Sequence, residues 1–195
     1  MNASDTSAGD DAQTVGVLLV GGESRRFGSP KALALIEGEQ MAVRIHRLLL
    51  KAFGTAIAVG KPSLGLELPF PVLDDASDEH AALIGVAAAL RLADADKVVI
   101  VPTDMPWLTV PTLRNLARAL SVPGVEVATC RDRPLPVALR RSMLPSIERC
   151  LADGDYALRK AFSLGLSTRV ECDERELINL NEPGQETPAP GTRSA

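Results

Sequence analysis

The chain has 195 residues, of which 46% are hydrophobic and 24% charged; this is a globular composition that excludes a wholly disordered polymer and suits one α/β domain with a substantial core. The formal charge of −4 argues against a general nucleic-acid binder, and one Trp, one Tyr and four Phe cannot build a base-stacking platform of several rings. The longest apolar run, residues 81–90, is about half a membrane span, so no membrane association is expected.

In chain order, residues 1–13 are small, polar and acidic and read as a disordered tail rather than a signal peptide. The domain is expected over residues 14–181, with a second disordered tail over 182–195, where Pro183, Gly184, Pro188, Pro190 and Gly191 interrupt any pattern. Thr14 to Val20 is a short β-branched apolar run stopped by Gly21-Gly22 and reads as a buried strand. Met41 to Phe53 carries Met41, Ile45, Leu48, Leu49 and Ala52 on one face and reads as an amphipathic helix. Strands are predicted over Thr55 to Val59 and Pro71 to Leu73, a helix over Ala81 to Ala93, and a strand over Lys97 to Val101. A helix over Thr109 to Leu120 has Pro111 in its first turn, where proline is tolerated. Strands over Val125 to Cys130 and Leu135 to Leu139, helices over Ser142 to Leu151 and Tyr156 to Phe162, and a strand over Ser167 to Cys172 complete the series.

The strands are short apolar blocks separated by helices. That pattern predicts a single three-layer α/β domain, its mostly parallel sheet covered by helices on both faces. Ligands in such sheets sit beyond the carboxyl ends of the strands. The three cysteines, Cys130, Cys150 and Cys172, contain no CxxC pair, so neither a zinc site nor a disulfide framework is expected, and a cytoplasmic protein is.

The first strand runs into Gly21-Gly22, followed by Arg25, Arg26 and Lys31. Paired glycines allow a tight turn with bare N–H groups, and the three cations cluster there although the chain is acidic, which suits a phosphate. The segment is neither a Walker A loop, since Gly28 is followed by Ser29-Pro30-Lys31, nor a G-x-G-x-x-G fingerprint. Asp104 follows the Lys97 to Val101 strand; a carboxylate there is placed to hold Mg²⁺, and an N-cap or turn role is equally open from the residues alone. His46 and His80 read as packing or loop residues.

Residues 19–33, LVGGESRRFGSPKAL, resemble the LAGGxSxRMGxxKxL signature of the MobA-like nucleotidyltransferase family, and the resemblance extends over nearly all of residues 15–181. It implies a Rossmann-like nucleotidyltransferase fold that moves GMP from GTP to the phosphate of a molybdenum-carrying molybdopterin and releases pyrophosphate. It implies that Gly21 and Gly22 donate backbone hydrogen bonds to the nucleotide, that Arg26 and Lys31 neutralise its phosphates, and that Asp104, in Thr103-Asp104-Met105-Pro106, binds Mg²⁺. Arg26, Lys31 and Asp104 are then the catalytic set. Asp75 and the backbone around Leu19 would read the base, beside Gly85. The family's G-P-L-x-G turn is here Ala81-Ala82-Leu83-Ile84-Gly85, which lacks its first glycine and its proline. Asn179 and Asn181 resemble the family's N-I-N-T-P asparagines near the acceptor, and a turn role suits them nearly as well. The family's G-x-R arginine is replaced by Tyr156, with Arg159 one helical turn on as a candidate acceptor contact. The partners implied are GTP and a molybdopterin-type acceptor, with transient contact to other cofactor-biosynthesis proteins or apoenzymes. The alternatives are a CTP-dependent or other small-phosphate nucleotidyltransferase and a non-catalytic cofactor carrier.

Overall fold

All seven residues of strand β1, Thr14–Val20, are buried. Val15, Val17 and Leu19 pack into one hydrophobic cluster and Leu18 and Val20 into another on the opposite face, so no polar alternation survives in the sequence. The structure, a computed structural model, describes residues 14–21 and 30–180. Both predicted tails, Gly22, Arg25, Arg26, Phe27 and Gly28 of the cationic loop, and Asn181 lie outside the described residues.

After β1 come two very short strands, β2 (Leu35–Ile36) and β3 (Glu39–Gln40), forming a separate hairpin. The sequence reading lacks this hairpin because two-residue strands show no period. Helix α1 (Met41–Phe53), strand β4 (Ala56–Gly60), strand β5 (Val72–Asp74), helix α2 (Ala82–Leu92) and strand β6 (Lys97–Pro102) follow. Helix α3 (Val110–Ala119) is capped by the Thr109 hydroxyl, which accepts from the Thr112 N–H. Strands β7 (Val127–Cys130) and β8 (Val137–Arg140), helices α4 (Leu144–Ala152) and α5 (Leu158–Phe162), and strand β9 (Ser167–Val170) complete the domain. Most predicted elements appear at these places, shifted by a residue or two at their ends.

The sheet order is β5-β4-β1-β6-β8-β7-β9. β5, β4, β1 and β6 are parallel neighbours, as are β7 and β9; β8 lies antiparallel between β6 and β7. The six remaining strands therefore end at the same edge. One face is covered by α1 and α3, through Ile45, Leu49, Leu113 and Leu116. The other is covered by α2, α4 and α5, through Leu83, Ala87, Leu90, Ile147 and Phe162. His46 takes the packing role expected of it: its ring stacks on Phe70 with centroids 3.9 Å apart, and burial lowers its pKa. Among the described residues no helix is long and apolar enough to cross a membrane.

The cysteine expectation is corrected by the fold. Cys130 and Cys172 are joined in a disulfide, with their Cα atoms 5.9 Å apart. β7 and β9 run parallel with Cys130 opposite Val170, so Cys172, two residues further on, arrives beside it. A separation of 42 residues hides this proximity from the sequence. Cys150 is a buried thiol. The cysteine pattern thus lends no support to a reducing compartment.

Gly60 closes β4 against β1. A Cβ on it would lie 1.9 Å from the Val20 carbonyl oxygen, a backbone atom that cannot step aside. Gly60→Ala is expected to destabilise the fold by about 1–3 kcal/mol, read in thermal denaturation as a Tm fall of roughly 2–4 °C per kcal/mol. An unchanged Tm would show that β4 shifts freely.

Candidate active site

The ends of β1 and β6 are adjacent, because Leu19 pairs with Pro102. β1 leaves the sheet at Gly21 and β6 at Thr103-Asp104. The Thr103 hydroxyl, buried, donates to the Leu19 carbonyl at 2.7 Å and ties the two ends together.

Asp104 is the centre of a polar cluster. Its Oδ2 lies 3.8 Å from Lys31 Nζ and accepts a 3.2 Å bond from Asn179 Nδ2. Lys31 opens a single 3-10 turn, Lys31–Leu33, directly after Pro30. Asn179 is held in place by its neighbour, since the Leu180 N–H donates to the Asp104 carbonyl at 2.8 Å and the Leu180 side chain is buried. Leu180 packs with Ile36 and Met41, so the short β2–β3 hairpin helps anchor the segment that carries Asn179.

Burial raises the pKa of Asp104, outweighing the charge of Lys31 and the Asn179 hydrogen bond, which hold it down. Asp104 Oδ1 and Asn179 Oδ1 are buried and have no hydrogen-bond partner among the described residues. Two unsatisfied buried oxygens on side chains that are hydrogen-bonded to one another would be costly in a finished core. They are hard donors of the kind that a Mg²⁺ ion takes, so the residues present fit that ion.

Two adjoining cavities open over these strand ends. The smaller, about 170 Å³, is lined by Val20, Gly21, Pro30, Lys31, Thr103 and Asp104. The larger, about 350 Å³, is lined by Leu19, Lys61, Asp75, His80, Ala82 and Gly85 among others, and shares Val20, Gly21, Leu64 and Pro102 with the first. Gly85 lies in the first turn of α2, where a Cβ would sit 3.1 Å from Leu19 Cδ2, so glycine lets the helix approach β1 closely. Among the described residues no side chain caps α2, so N–H groups of its first turn remain available at this cavity.

Leu19, Gly21, Lys31, Asp75, Gly85, Asp104 and Asn179 are therefore brought together around the two cavities. Arg159 is not. It lines a third cavity beside β7 and β9 with Arg131, Arg133 and Arg169, and its Nη2 donates to the Asp132 carbonyl. Tyr156 instead meets Glu79, whose carboxylate raises the pKa of the phenol chiefly through a hydrogen bond; Glu79 lines the larger cavity. Lys61 was absent from the sequence reading. Its Nζ donates to Asp75 Oδ1 at 3.1 Å, and the only available signal was a lysine directly after a predicted strand.

Comparison with known proteins gives the family and the fold. The family described as MobA-like NTP transferase domain matches residues 16–170. The chain is 28% identical over 193 residues to the molybdenum cofactor guanylyltransferase of Burkholderia ambifaria, covering 90% of this chain and 94% of that one. It is 29% identical over 177 residues to the molybdenum cofactor guanylyltransferase of Pseudomonas putida, covering 86% and 92%. A crystal structure from Aquifex aeolicus superposes with a TM-score of 0.71 at 26% identity, covering 89% of this chain and 95% of that one. The fold is also that of molybdopterin-guanine dinucleotide biosynthesis protein A from Archaeoglobus fulgidus, with a TM-score of 0.71 at 19% identity over 87% and 93% of the two chains.

Proposed function

The chain belongs to the MobA-like NTP transferase family, and from that premise we propose that this nucleotidyltransferase moves GMP from GTP to the phosphate of molybdenum-carrying molybdopterin. The observation that carries the reading is the cluster of Asp104, Lys31 and Asn179 at the end of β6, beside the Gly21 end of β1. The triphosphate occupies the smaller cavity and the base the larger. An oxygen of the acceptor phosphate forms a bond to the α-phosphorus. The bond from that phosphorus to the bridging oxygen breaks, and pyrophosphate leaves with the electron pair.

No protein nucleophile is required, because the acceptor phosphate is already an anion. The chain aligns the two phosphates and cancels their charge. Lys31 places a cation at the triphosphate, and Gly21 brings bare backbone to it; Arg26 adds a second cation from the loop. Asp104 and Asn179 would hold Mg²⁺ through their unpartnered oxygens. Mg²⁺ bound there supplies further charge cancellation on the phosphate oxygens. The product is a cofactor used by other enzymes, so transient contact with apoenzymes or other biosynthetic proteins follows from this reading, as does a cytoplasmic location near the nucleotide pool.

Thermal shift with each of the four NTPs plus Mg²⁺ tests the donor. A ligand at a hundred times its dissociation constant stabilises by about 2.7 kcal/mol if it binds only the folded chain. In pyrophosphate-release assays GTP is expected to exceed CTP by at least ~10-fold in kcat/KM, the worth of one well-placed polar contact. Ala81 and Ala82, which line the larger cavity, favour the second reading of a CTP-dependent enzyme, because their Cβ atoms narrow the space for the base. Equal use of CTP would establish that reading, and binding without pyrophosphate release would identify a carrier.

A further inference from the structure

Lys61 directly follows β4 and Asp75 directly follows β5, so two neighbouring parallel strands deliver these side chains to the same cavity. The Asp75 N–H donates to the Gly60 carbonyl at 3.0 Å, which locks the two strand ends together. The side chains are only 13% and 10% exposed. Lys61 Nζ donates to Asp75 Oδ1 and to the Ser77 carbonyl. An ammonium carries three N–H bonds, so one remains for a ligand. Asp75 Oδ1 also accepts from the Ser77 N–H at 3.2 Å. Its Oδ2 has no partner among the described residues, while the carboxylate lines the cavity.

From Nζ through Oδ1 to Oδ2, the pair forms a row reading donor, acceptor, acceptor once Oδ1 exchanges the 3.2 Å bond from the Ser77 N–H for one from a base. The 3.1 Å between Nζ and Oδ1 is close enough for the two to bind neighbouring atoms of one base edge. The same order runs along the pairing edge of cytosine: an amino group, a ring nitrogen and a carbonyl oxygen. Its full complement is guanine, with O6 as acceptor and N1–H and N2–H as donors. Uracil would set its O2 against Oδ2, acceptor on acceptor. Adenine would leave one carboxylate oxygen unpaired. Cytosine cannot satisfy the row in either direction.

We infer that Lys61 is a base-specificity residue that binds position 6 of a purine, and that with Asp75 it imitates a cytosine edge. The inference rests on the nucleotidyltransferase reading above. It assigns selectivity to side chains that β4 and β5 deliver, so the alanines at 81 and 82 do not disturb it.

The test is competition kinetics among triphosphates whose pairing edges differ at known positions, with folding of each variant checked by thermal denaturation. GTP and 2,6-diaminopurine riboside triphosphate share the 2-amino group; they differ at position 6, where the second carries a donor facing the Lys61 ammonium, and at N1, which in the second has no hydrogen and faces Asp75 with or without Lys61. The unmutated protein should prefer GTP, and Lys61→Met should erode that preference by at least ~10-fold, since it relieves the donor–donor conflict with the diaminopurine and deletes the hydrogen bond to guanine O6. The ratio of GTP to ITP should not change in Lys61→Met, because the 2-amino group meets Asp75. Asp75→Asn keeps the size of the side chain and the oxygen that Lys61 binds. It turns the row into donor, acceptor, donor, which matches xanthine, and should raise XTP relative to GTP by at least ~10-fold. That gain does not depend on whether Lys61→Met folds. Uniform loss with every nucleotide in Lys61→Met would show that the lysine only tethers residues 75–77 and would overturn the assignment. Asp75→Asn without a gain for XTP would overturn it too. Pyrophosphate released from CTP as readily as from GTP by the unmutated protein would remove the inference and leave the transferase reading standing, whereas no binding of any NTP would remove both.

Discussion

Asp104→Ala is expected to fold normally and to lose nucleotidyl transfer by on the order of a thousandfold, the factor that about 4 kcal/mol of transition-state stabilisation represents. The side chain lies at the end of β6 rather than inside the sheet, so removing it opens no cavity in either hydrophobic cluster. What it removes is a buried carboxylate oxygen that no described residue satisfies, along with the acceptor for Asn179 Nδ2. Near-normal pyrophosphate release at saturating Mg²⁺ would overturn the assignment. Asp104→Asn separates charge from shape. Burial raises the pKa of Asp104 in the folded chain above its unfolded value. The folded state then holds the proton more tightly, and the stability this gives is present below the unfolded pKa and lost as pH rises through the folded one. At neutral pH the ionised carboxylate is therefore a cost to the Mg²⁺-free protein. Asp104→Asn should raise the Tm of that protein while transfer activity collapses, a pairing of effects that a merely structural aspartate would not show.

Lys31→Ala is expected to reduce kcat/KM by roughly a hundredfold, in the range found when one preorganised donor is taken from a developing negative charge. Both parameters should change: KM because the triphosphate loses a counter-charge, kcat because the charge matters more as the bridging bond breaks. A second effect separates this lysine from a surface cation. Its charge is the largest influence holding the Asp104 pKa down. Without it the Asp104 pKa should rise further, and the acid limb of the pH–rate profile should move to higher pH. A loss of rate with an unmoved acid limb would mean that Lys31 and Asp104 do not act on one another in solution. Arg26→Ala should resemble Lys31→Ala, and Arg25→Ala should do much less, because only Arg26 falls on the loop signature. Equal behaviour of the two arginine variants would put the loop in a different register.

The elements that proved legible in the sequence are those whose cause is local. Thr14–Val20 and Lys97–Pro102 are apolar because both of their faces are covered, and a continuous apolar run of strand length records that burial directly. Helix α1 shows its apolar face as a period of three to four residues. Gly21 and Asp104 could be singled out because each is the residue type that follows a buried strand at the ligand edge.

The remainder depends on which strands become neighbours, and local periodicity carries no strand order. The insertion of antiparallel β8 between β6 and β7 leaves no trace in the composition of β8. Thr103 and Leu19 meet across 84 residues, Asn179 and Asp104 across 75, and Cys172 and Cys130 across 42. Lys61 and Asp75 are only 14 residues apart, yet they meet because β4 and β5 pair in parallel and end together. Arg159 shows the converse: its spacing from Tyr156 suggested the acceptor site, and the packing of α5 beside β7 and β9 directs it to another cavity. The amino-acid sequence by itself thus determined the layers and the chemical type of the strand-end residues, since hydrophobic burial and turn chemistry act over a few residues. Tertiary structure alone decided which of those residues share a site, because that depends on the order and direction of strands distant along the chain.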